Sequence, residues 1–449
     1  MNKNGWILYR NLAKNELLCQ MLDLISRYHK IKGLEKANMT TEFTKNSAKF
    51  VKGAEWEGIM DELFECIRQL IELAEHCGFE GNLWHCFLTN LIINDENAFS
   101  LCCEQKGEPT GSIAEAVHQD FSFLKRLFDV NLQEMAEDLD VSELSLILQY
   151  QRDKRSAKMY NHRISGYICV LAKNLAHAQN AGEMKTIVSE FYQKFGVGKL
   201  GLHKSFRVIH DDDGVHIEPI RNIAHVKFDD LVGYEQAKKK LRDNTDAFVA
   251  GRPANNCLLF GDAGTGKSSC IKAMANEYFE SGLRVIEIYK YQFQDLNAVI
   301  SQIKNRGYRF VIYMDDLSFE EFETEYKYLK AVIEGGLEKK PENVLIYATS
   351  NRRHLIREQY SDKEDEDMHT GDTVQEKLSL AYRFGVTIYF GRPDKKEFQN
   401  IVKVLANRYR INMSEEELLL EANKWELSHG GLSGRTATQF IDYLRGSVQ

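Results

Sequence analysis

The chain has 449 residues, of which 43% are hydrophobic and 28% are charged, as is ordinary for a globular protein of about three compact units. Its net charge of −8 argues against nucleic-acid binding over the whole surface and leaves only a local basic patch to consider. Nine scattered cysteines argue against a disulfide framework, and no apolar run approaches the roughly 18 residues of a membrane helix, so we expect a cytoplasmic protein with no membrane partner.

Residues 1–195 are predicted to form a mainly α-helical N-terminal domain. Apolar residues recur at the spacing of one helix face in 17–25 and again in 60–73. Three cysteines and two histidines between 66 and 86 are spaced too irregularly to indicate a metal site. The basic run at 152–158 is either a solvated helix face, which is favoured, or a nucleic-acid contact. No catalytic pattern stands out, so we expect a module that contacts a partner or target.

Residues 196–224 are interpreted as a linker that contains a β-hairpin. Gly196-Val197-Gly198-Lys199-Leu200-Gly201 matches the pattern G-x-G-x-x-G, but it follows a predicted helix and precedes an extended run. A dinucleotide-binding loop needs a strand before it and a helix after it, so we interpret these glycines as a hinge. The turn signal Asp213-Gly214 between two apolar runs predicts the hairpin, with a solvated acidic turn.

From residue 225 to 393 the pattern changes to strands that alternate with helices. This alternation predicts an α/β domain, with a parallel sheet and helices on both of its faces. Five strands are predicted, at 257–260, 284–289, 310–314, 344–348 and 386–390. Because ligands bind at the carboxyl ends of the strands in open α/β sheets, we expect one site built from several distant segments.

A phosphate-binding loop follows the first of these strands. Gly261-Asp262-Ala263-Gly264-Thr265-Gly266-Lys267-Ser268 fits G-x-x-x-x-G-K-[ST], and Ser269 continues into a predicted helix. The glycines let backbone N–H groups converge on a phosphate, and the helix start adds the positive end of its dipole. We expect Lys267 to reach the β- and γ-phosphates and the Ser268 hydroxyl to hold Mg²⁺.

Two further strands end in polar side chains suited to nucleotide hydrolysis. Asp315 and Asp316 follow the strand at 310–314, and Asn351 follows the strand at 344–348. Asp315 is predicted to hold the Mg²⁺ shell, and Asp316 to orient or deprotonate the attacking water. Asn351 carries both a donor and an acceptor, which suits contact with the γ-phosphate and the water. The alternative is that these residues simply begin loops.

The loop, the acidic strand end, the strand that ends in Asn351 and a later arginine together resemble the AAA+ ATPases, over residues 225–449. Within that superfamily the chain is similar to an uncharacterised bacterial ATP-binding family known as domain of unknown function 815. This similarity rests on four segments: Asp230-Leu231-Val232-Gly233-Tyr234-Glu235-Gln236, Asp315-Asp316-Leu317-Ser318-Phe319, Ala348-Thr349-Ser350-Asn351-Arg352-Arg353-His354-Leu355 and Glu376-Lys377-Leu378-Ser379-Leu380.

The resemblance implies where ATP is held. Val232, Gly233 and Tyr234 would lie against the adenine, and Asn351 would sense the γ-phosphate. Residues 394–449 would form a small helical lid, whose first helix is capped by Asp394.

The resemblance also implies roles for two arginines. Arg383 would be an arginine finger that reaches the γ-phosphate of a neighbouring subunit, which implies a homo-oligomer. Arg435 would be a second sensor that projects from the lid. Arg352 and Arg353 are open to nucleotide, to a neighbour or to a polyanion, and the acidic run at 362–367 is a solvated loop or an ordering switch.

Two positions depart from the usual pattern of the superfamily. The second carboxylate, usually a glutamate, is Asp316, which is one methylene shorter, and Glu320 or Glu321 offers a substitute. Ala381-Tyr382 precede Arg383 where a polar-acidic pair is frequent. The main hypothesis is therefore an AAA+ ATPase that uses ATP and Mg²⁺ and passes conformational change to the N-terminal domain. The alternative is a slowly hydrolysing switch, loader or adaptor, associated with DNA in one form of that hypothesis.

Overall fold

The computed structural model divides the chain into two compact units, Met1–Leu202 and His203–Gln449. Each unit has its own buried core. The structure describes residues 5–38, 45–152, 161–220, 223–319, 325–334, 341–351, 355 and 380–447. Within these ranges, no helix combines the length and the apolar character needed to cross a membrane.

The first unit is built from helices, as the sequence predicts. A short 3-10 helix, Arg10–Lys14, precedes the α-helices. In the described residues these are α1 Glu16–Asn38, α2 Lys45–Cys77, α3 Leu83–Asn94, α4 Ala98–Lys106, α5 Ser112–Phe128, α6 Leu132–Leu139, α7 Leu144–Leu148, α8 His162–His177, α9 Ala181–Phe195 and α10 Gly198–Leu202.

Asparagine side chains start half of these helices. The residue before each helix accepts a hydrogen bond from the backbone N–H groups of the first turn, which are otherwise without an acceptor. These caps are Asn82 of α3, Asn97 of α4, Asn131 of α6, Asn161 of α8 and Asn180 of α9. The sequence therefore sets the boundaries of this unit locally, while its apolar faces, such as that of Phe121, Leu124 and Phe128 in α5, form the core.

The second unit is organised around one seven-stranded sheet. Its strands are β1 Ser205–Asp211, β2 Gly214–Pro219, β3 Cys257–Gly261, β4 Leu283–Glu287, β5 Arg309–Met314, β6 Val344–Ser350 and β7 Val386–Phe390. Their order across the sheet is β2-β1-β4-β5-β6-β3-β7. Among the strands in the described part of the chain, β1 and β2 pair antiparallel and the other neighbours pair in parallel.

The hairpin is present, but it does not lie in a linker. β1 pairs in parallel with β4, with Ser205 opposite Val285, so the hairpin extends the sheet at one edge. The preceding glycine segment is helical from Gly198 and belongs to the first unit. The interpretation of 196–224 as a linker was wrong in this respect, because local patterning gives a hairpin but not the strand with which it pairs.

Both faces of the sheet are buried. Every second strand residue, including Leu259, Val311 and Tyr347, shares one apolar core with the buried residues of α11 (Glu235–Val249) and α12 (Lys267–Glu277). The intervening residues Leu258, Ile286, Ile312 and Ile346 are buried as well. Since successive side chains of a strand point to opposite faces, burial of both sets confirms an α/β layer architecture.

The remaining helices complete the sheet domain and form the lid. α13 is Leu296–Ile303 and α14 is Glu325–Glu334. The lid contains α15 Lys395–Arg408, α16 Glu415–Ser428 and α17 Gly434–Ser447, with a separate apolar core. Asp394 caps α15 through a capping box, since its Oδ1 accepts from the Glu397 N–H at 2.8 Å. The expected fold class is confirmed: an α/β domain and a helical lid, after a mainly helical region.

Candidate functional site

A cavity of about 600 Å³ lies in the second unit, where β3, β5 and β6 end beneath the lid. Most of the predicted site residues line it: Val232, Tyr234, Ala263, Gly264, Thr265, Gly266, Lys267, Ser268, Ser269, Asp315, Asp316, Asn351 and Arg435. The segments that the sequence identified separately therefore meet at one place. This convergence is what the carboxyl ends of parallel strands are expected to produce.

The loop between β3 and α12 keeps its shape through glycines. Gly261 has a φ of 134°, and a Cβ atom there would lie 2.1 Å from the carbonyl oxygen of Phe390 on β7. Gly264 has a φ of 76°, and a Cβ atom there would lie 3.1 Å from Cβ of Arg435 in the lid. The Thr265 hydroxyl closes the turn by donating to the carbonyl of Asp262 at 2.8 Å. The backbone of this loop is therefore free to face the cavity.

Lys267 lies at the centre of the loop, with 7% of its surface exposed. Its Nζ donates to the carbonyls of Gly261 and Asp262 at 3.0 and 2.7 Å, and to Oδ1 of Asn351 at 3.0 Å. Burial lowers the pKa of this ammonium group, and the nearby carboxylates, with Asp316 first, oppose that shift. A bound phosphate would provide the counter-charge that this buried cation otherwise takes from dipoles.

Asp315 receives two hydrogen bonds on the same oxygen. Its Oδ1 accepts from the Ser268 hydroxyl at 2.7 Å and from the Thr349 hydroxyl at 2.5 Å. Burial pushes the pKa of Asp315 upward, but the hydrogen bonds to its carboxylate, with that from Thr349 first, outweigh burial, and the pKa lies below its ordinary value. The carboxyl group is therefore held as the anion.

The same oxygens fit the magnesium ion that the sequence predicts. The Ser268 hydroxyl and Oδ1 of Asp315, which lie 2.7 Å apart, are hard oxygen ligands of the type that Mg²⁺ selects. In the ranges that the structure describes, no group of three or more His, Cys, Asp and Glu side chains is placed to hold a metal ion. A magnesium ion here would therefore depend on Ser268, Asp315, water and nucleotide phosphates for its ligands.

Asp316 and Asn351 form a second connected pair. Nδ2 of Asn351 donates to Oδ1 of Asp316 at 2.7 Å, while its Oδ1 accepts from Lys267. This pattern fixes the orientation of the amide. Asp316 has a φ of 50°, in the left-handed region that few non-glycine residues adopt, and its N–H donates to the Thr349 hydroxyl at 3.0 Å. Strained backbone of this kind is held where surrounding contacts determine it.

The predicted adenine segment is anchored on both sides. The Tyr234 hydroxyl donates to the carbonyl of Gly391 at 2.9 Å, and burial raises the pKa of Tyr234 to about 12. Lys238 is buried in α11, donates to the carbonyl of Leu231 at 2.7 Å and pairs with Glu235 at 2.6 Å. Lys238 also lines the cavity, together with Ile401 and Leu405 of the lid.

The lid touches the loop through the backbone. The N–H of Arg435 donates to the carbonyl of Gly264 at 3.1 Å, and the exposed side chain of Arg435 lines the cavity. Thr438 and Gln439 follow one turn later on the same side. The second sensor predicted from the resemblance therefore lies beside the loop, although its role stays a prediction.

Four predicted residues do not line the cavity. Gly233 lies between two residues that do, Gly261 packs against β7, and the Asp262 carboxylate accepts from the Arg392 N–H at 2.9 Å. Arg383 is half-exposed and precedes the amino end of β7, whereas the cavity lies at the carboxyl ends of the strands. Arg383 thus does not line the cavity of its own chain, and its role as an arginine finger stays a prediction.

Thr349 and Lys238 are two polar contacts of the site to which the sequence analysis gave no role. Thr349 bridges Asp315 and Asp316, and its only signal is its place in the polar end of β6. Lys238 follows Tyr234 by one helical turn, which was the available signal. The predicted Glu320, Glu321, Arg352 and Arg353, the run at 362–367 and most of the basic run at 152–158 lie outside the described residues.

The family model described as "Protein of unknown function (DUF815)" matches residues 202–448, which is more than half of the chain. The chain belongs to the DUF815 family. This match confirms the similarity to domain of unknown function 815 that was drawn from the sequence.

Known proteins share shorter or more distant similarity with this DUF815 protein. The replication factor C large subunit of Staphylothermus marinus is 36% identical over 77 residues, which are 16% of this chain and 18% of that relative. The match thus spans less than a fifth of the length of that curated relative, 18%.

Two solved structures of Thermotoga maritima RuvB, the Holliday junction branch migration motor and a point mutant of RuvB, match with 15% identity and a TM-score of 0.32. Each alignment covers 49% of this chain and 72% of the RuvB chain. This degree of similarity decides neither the activity nor the partner of the DUF815 protein.

Proposed function

We propose that this DUF815 protein binds Mg-ATP in the cavity beneath the lid and hydrolyses it. The observation that carries the proposal is the joint placement of Lys267, Asp315 and Asp316 within one hydrogen-bonded network, at the end of a glycine loop that leads into a helix. Phosphoryl transfer needs a loop that binds the phosphates, two side chains that bind the metal ion, and a carboxylate that orients the attacking water.

The chain's own groups would divide the work as follows. The loop N–H groups and Lys267 hold the phosphates, and Ser268 and Asp315 hold Mg²⁺, which neutralises phosphate charge when bound. Asp316 orients the attacking water or accepts its proton, and Asn351 positions Asp316 and the γ-phosphate together. Val232 and Tyr234 lie against the base, and Arg435 contacts the phosphates from the lid.

We further propose that the active form is a homo-oligomer. Arg383 does not line the cavity of its own chain, so its proposed contact with a γ-phosphate needs a second subunit. Residues 225–393 would form the ATP-binding domain and 394–449 the lid, and the helical region 1–195 would contact a macromolecular target. Support for this division comes from the separate apolar cores of the helical region, the sheet and the lid.

One observation favours a second function, an ATP-dependent switch, loader or adaptor with little turnover. The carboxylate of Asp316 is short and already accepts the Asn351 amide, so it reaches a water less readily than a glutamate. In this form ATP binding alone would set the conformation of the lid. The loader form, including an association with DNA, is a subset of this second function.

Phosphate release and ATP binding, measured side by side, separate the two functions. Wild type is compared with Lys267→Ala, and with Lys272→Ala as a matched control, because Lys272 is an exposed lysine on the same helix. An ATPase predicts that wild type and Lys272→Ala bind and hydrolyse ATP, while Lys267→Ala does neither. Binding by wild type with equally slow release in all three favours the switch, and no binding by wild type refutes both.

Mixing two inactive variants tests the action of Arg383 on a neighbour. Arg383→Ala subunits keep the complete cavity, and Lys267→Ala subunits keep Arg383, so a mixture recreates sites with both groups. We expect hydrolysis to reappear on mixing and to depend on protein concentration. A mixture as inactive as its parts, together with a chain that stays monomeric in the presence of ATP, would contradict the oligomeric mechanism.

A further inference from the structure

Two thiols face each other inside the helical unit, far along the sequence from the nucleotide loop. Sγ of Cys86, in α3, lies 4.0 Å from Sγ of Cys169, in α8. All nine cysteines are free thiols in this structure. A disulfide needs a sulfur separation of about 2.05 Å, so these two sulfurs would have to approach by about 2 Å to bond.

The two thiols differ in exposure. Cys86 is 2% exposed, whereas Cys169 is partly exposed and lines a cavity of about 650 Å³ together with Glu80, His162 and Lys173. Small polar reagents can therefore reach Cys169 first, while Cys86 lies behind it. An accessible thiol backed by a buried second thiol is the arrangement of an attacking and a resolving cysteine.

The Cys86 sulfhydryl has two acceptors within reach, the Glu80 carbonyl at 3.7 Å and Sγ of Cys169 at 4.0 Å. Its hydrogen bond to Cys169 lowers the pKa of Cys169 to about 6, although burial opposes the shift. The same bond, followed by burial, raises the pKa of Cys86. Hydrogen bonds with the Glu80 backbone and the Ser165 side chain also lower the pKa of Cys169, while the negative charge of the Glu80 carboxylate raises it. Since the thiolate is the nucleophile, Cys169 is the sulfur prepared to react near neutral pH.

We propose that Cys86 and Cys169 form a peroxide-oxidised dithiol that cross-links α3 to α8, with Cys169 reacting first. The Cys169 thiolate attacks one oxygen of hydrogen peroxide. An S–O bond forms, the O–O bond breaks, and hydroxide leaves and is protonated by solvent. Sulfur is oxidised to the sulfenic acid and peroxide is reduced.

The buried thiol then completes the bond. Cys86 sulfur attacks Cys169 sulfur, the S–O bond breaks, and the departing hydroxide takes the Cys86 proton to form water. The net change is two thiols and one peroxide converted to one disulfide and two waters. The product ties together two helices that already pack within one core, so the helical unit is held more firmly than in its reduced form.

The first experiment maps disulfides in the full wild-type chain after titration with hydrogen peroxide, thiol blocking and mass spectrometry of unreduced peptides. We expect a Cys86–Cys169 cross-linked peptide, a rise in the melting temperature of the helical unit, and reversal of both by dithiothreitol. Cys66 and Cys103 are internal controls, because burial raises the pKa of each to about 11. Cys169 should react about tenfold or more faster than either of them.

Variants separate the two roles. Cys86→Ser should accumulate sulfenic acid at Cys169, detected as a dimedone adduct, whereas Cys169→Ser should show neither adduct nor cross-link at Cys86. The matched control Cys103→Ser should cross-link as wild type does. Peroxide treatment that leaves the wild-type chain without a Cys86–Cys169 peptide, or that consumes Cys103 as fast as Cys169, overturns the proposal without reference to any variant.

Discussion

Replacing Thr349 by valine tests the network that joins β5 and β6. Valine keeps the shape of threonine but removes its hydroxyl, which donates to Asp315 and accepts from the Asp316 N–H. A hydrogen bond to a charged group contributes about 1.5–3 kcal/mol, and one between neutral groups about 0.5–1.5 kcal/mol. Asp315 is exposed, so water can replace the lost donor. We therefore expect a loss near the sum of the two lower limits, about 2 kcal/mol in the free energy of unfolding.

Urea denaturation followed by hydrogen exchange of β6 peptides measures this loss. Peptides from α8 serve as an internal reference, since α8 belongs to the helical unit. Thr349→Ser keeps the hydroxyl and should recover most of the stability. Thr186→Val removes an exposed hydroxyl that donates to the Gly182 carbonyl, and should change stability by no more than about 0.5 kcal/mol.

The outcome that refutes the reasoning is a Thr349→Val chain as stable as wild type. The two hydrogen bonds would then contribute nothing net, and the left-handed backbone of Asp316 would need another support. A loss in Thr349→Ser would report packing of the methyl group, which valine keeps and serine lacks, so it would not account for the loss in Thr349→Val.

Three further predictions concern the same unit. Gly261→Ala should destabilise the chain by about 1–3 kcal/mol in urea titrations, because its Cβ would overlap the Phe390 carbonyl, whereas an unchanged midpoint would show that β7 can move away. Asp315→Asn should be less stable than wild type at pH 7, because the folded state prefers the carboxylate. The difference in unfolding free energy should shrink as the pH falls below the ordinary pKa of 3.8 and through the lowered pKa of Asp315. A difference that grows on acidification contradicts this. Asp394→Ala should cost about 1 kcal/mol by removing the cap of α15, while Asp394→Asn should retain most of it in the same titration.

Local patterns predicted much of the fold because their signals are contiguous. The glycine loop, the apolar runs of β3 to β7 and the Asp394 cap each depend on neighbours in sequence, and each is found in place. The hairpin of β1 and β2 was predicted for the same reason. Its position was not, because pairing of Ser205 with Val285 joins residues that no local rule connects.

Predicting the contacts within the site requires the order of the strands in the sheet as well as their positions in the sequence. Asp315, Asp316 and Asn351 were predicted from the ends of two strands, but the bridging role of Thr349 depends on β6 lying between β5 and β3. Lys238 was missed because a lysine on a helix is usually solvated, and here the helix places it against the Leu231 carbonyl. Contacts of this kind are properties of the assembled sheet.

The hydrogen bond from the Arg435 N–H to the Gly264 carbonyl joins the apex of the phosphate loop to the lid without using a side chain. Changing the Arg435 side chain to any residue but proline deletes its charge and leaves this hydrogen bond in place, so the charge and the bond can be changed separately. Proline alone lacks the backbone N–H, and position 435 lies in the first turn of α17, where proline is tolerated. A relative that carries proline here would keep its lid helix but lose this hydrogen bond between lid and loop.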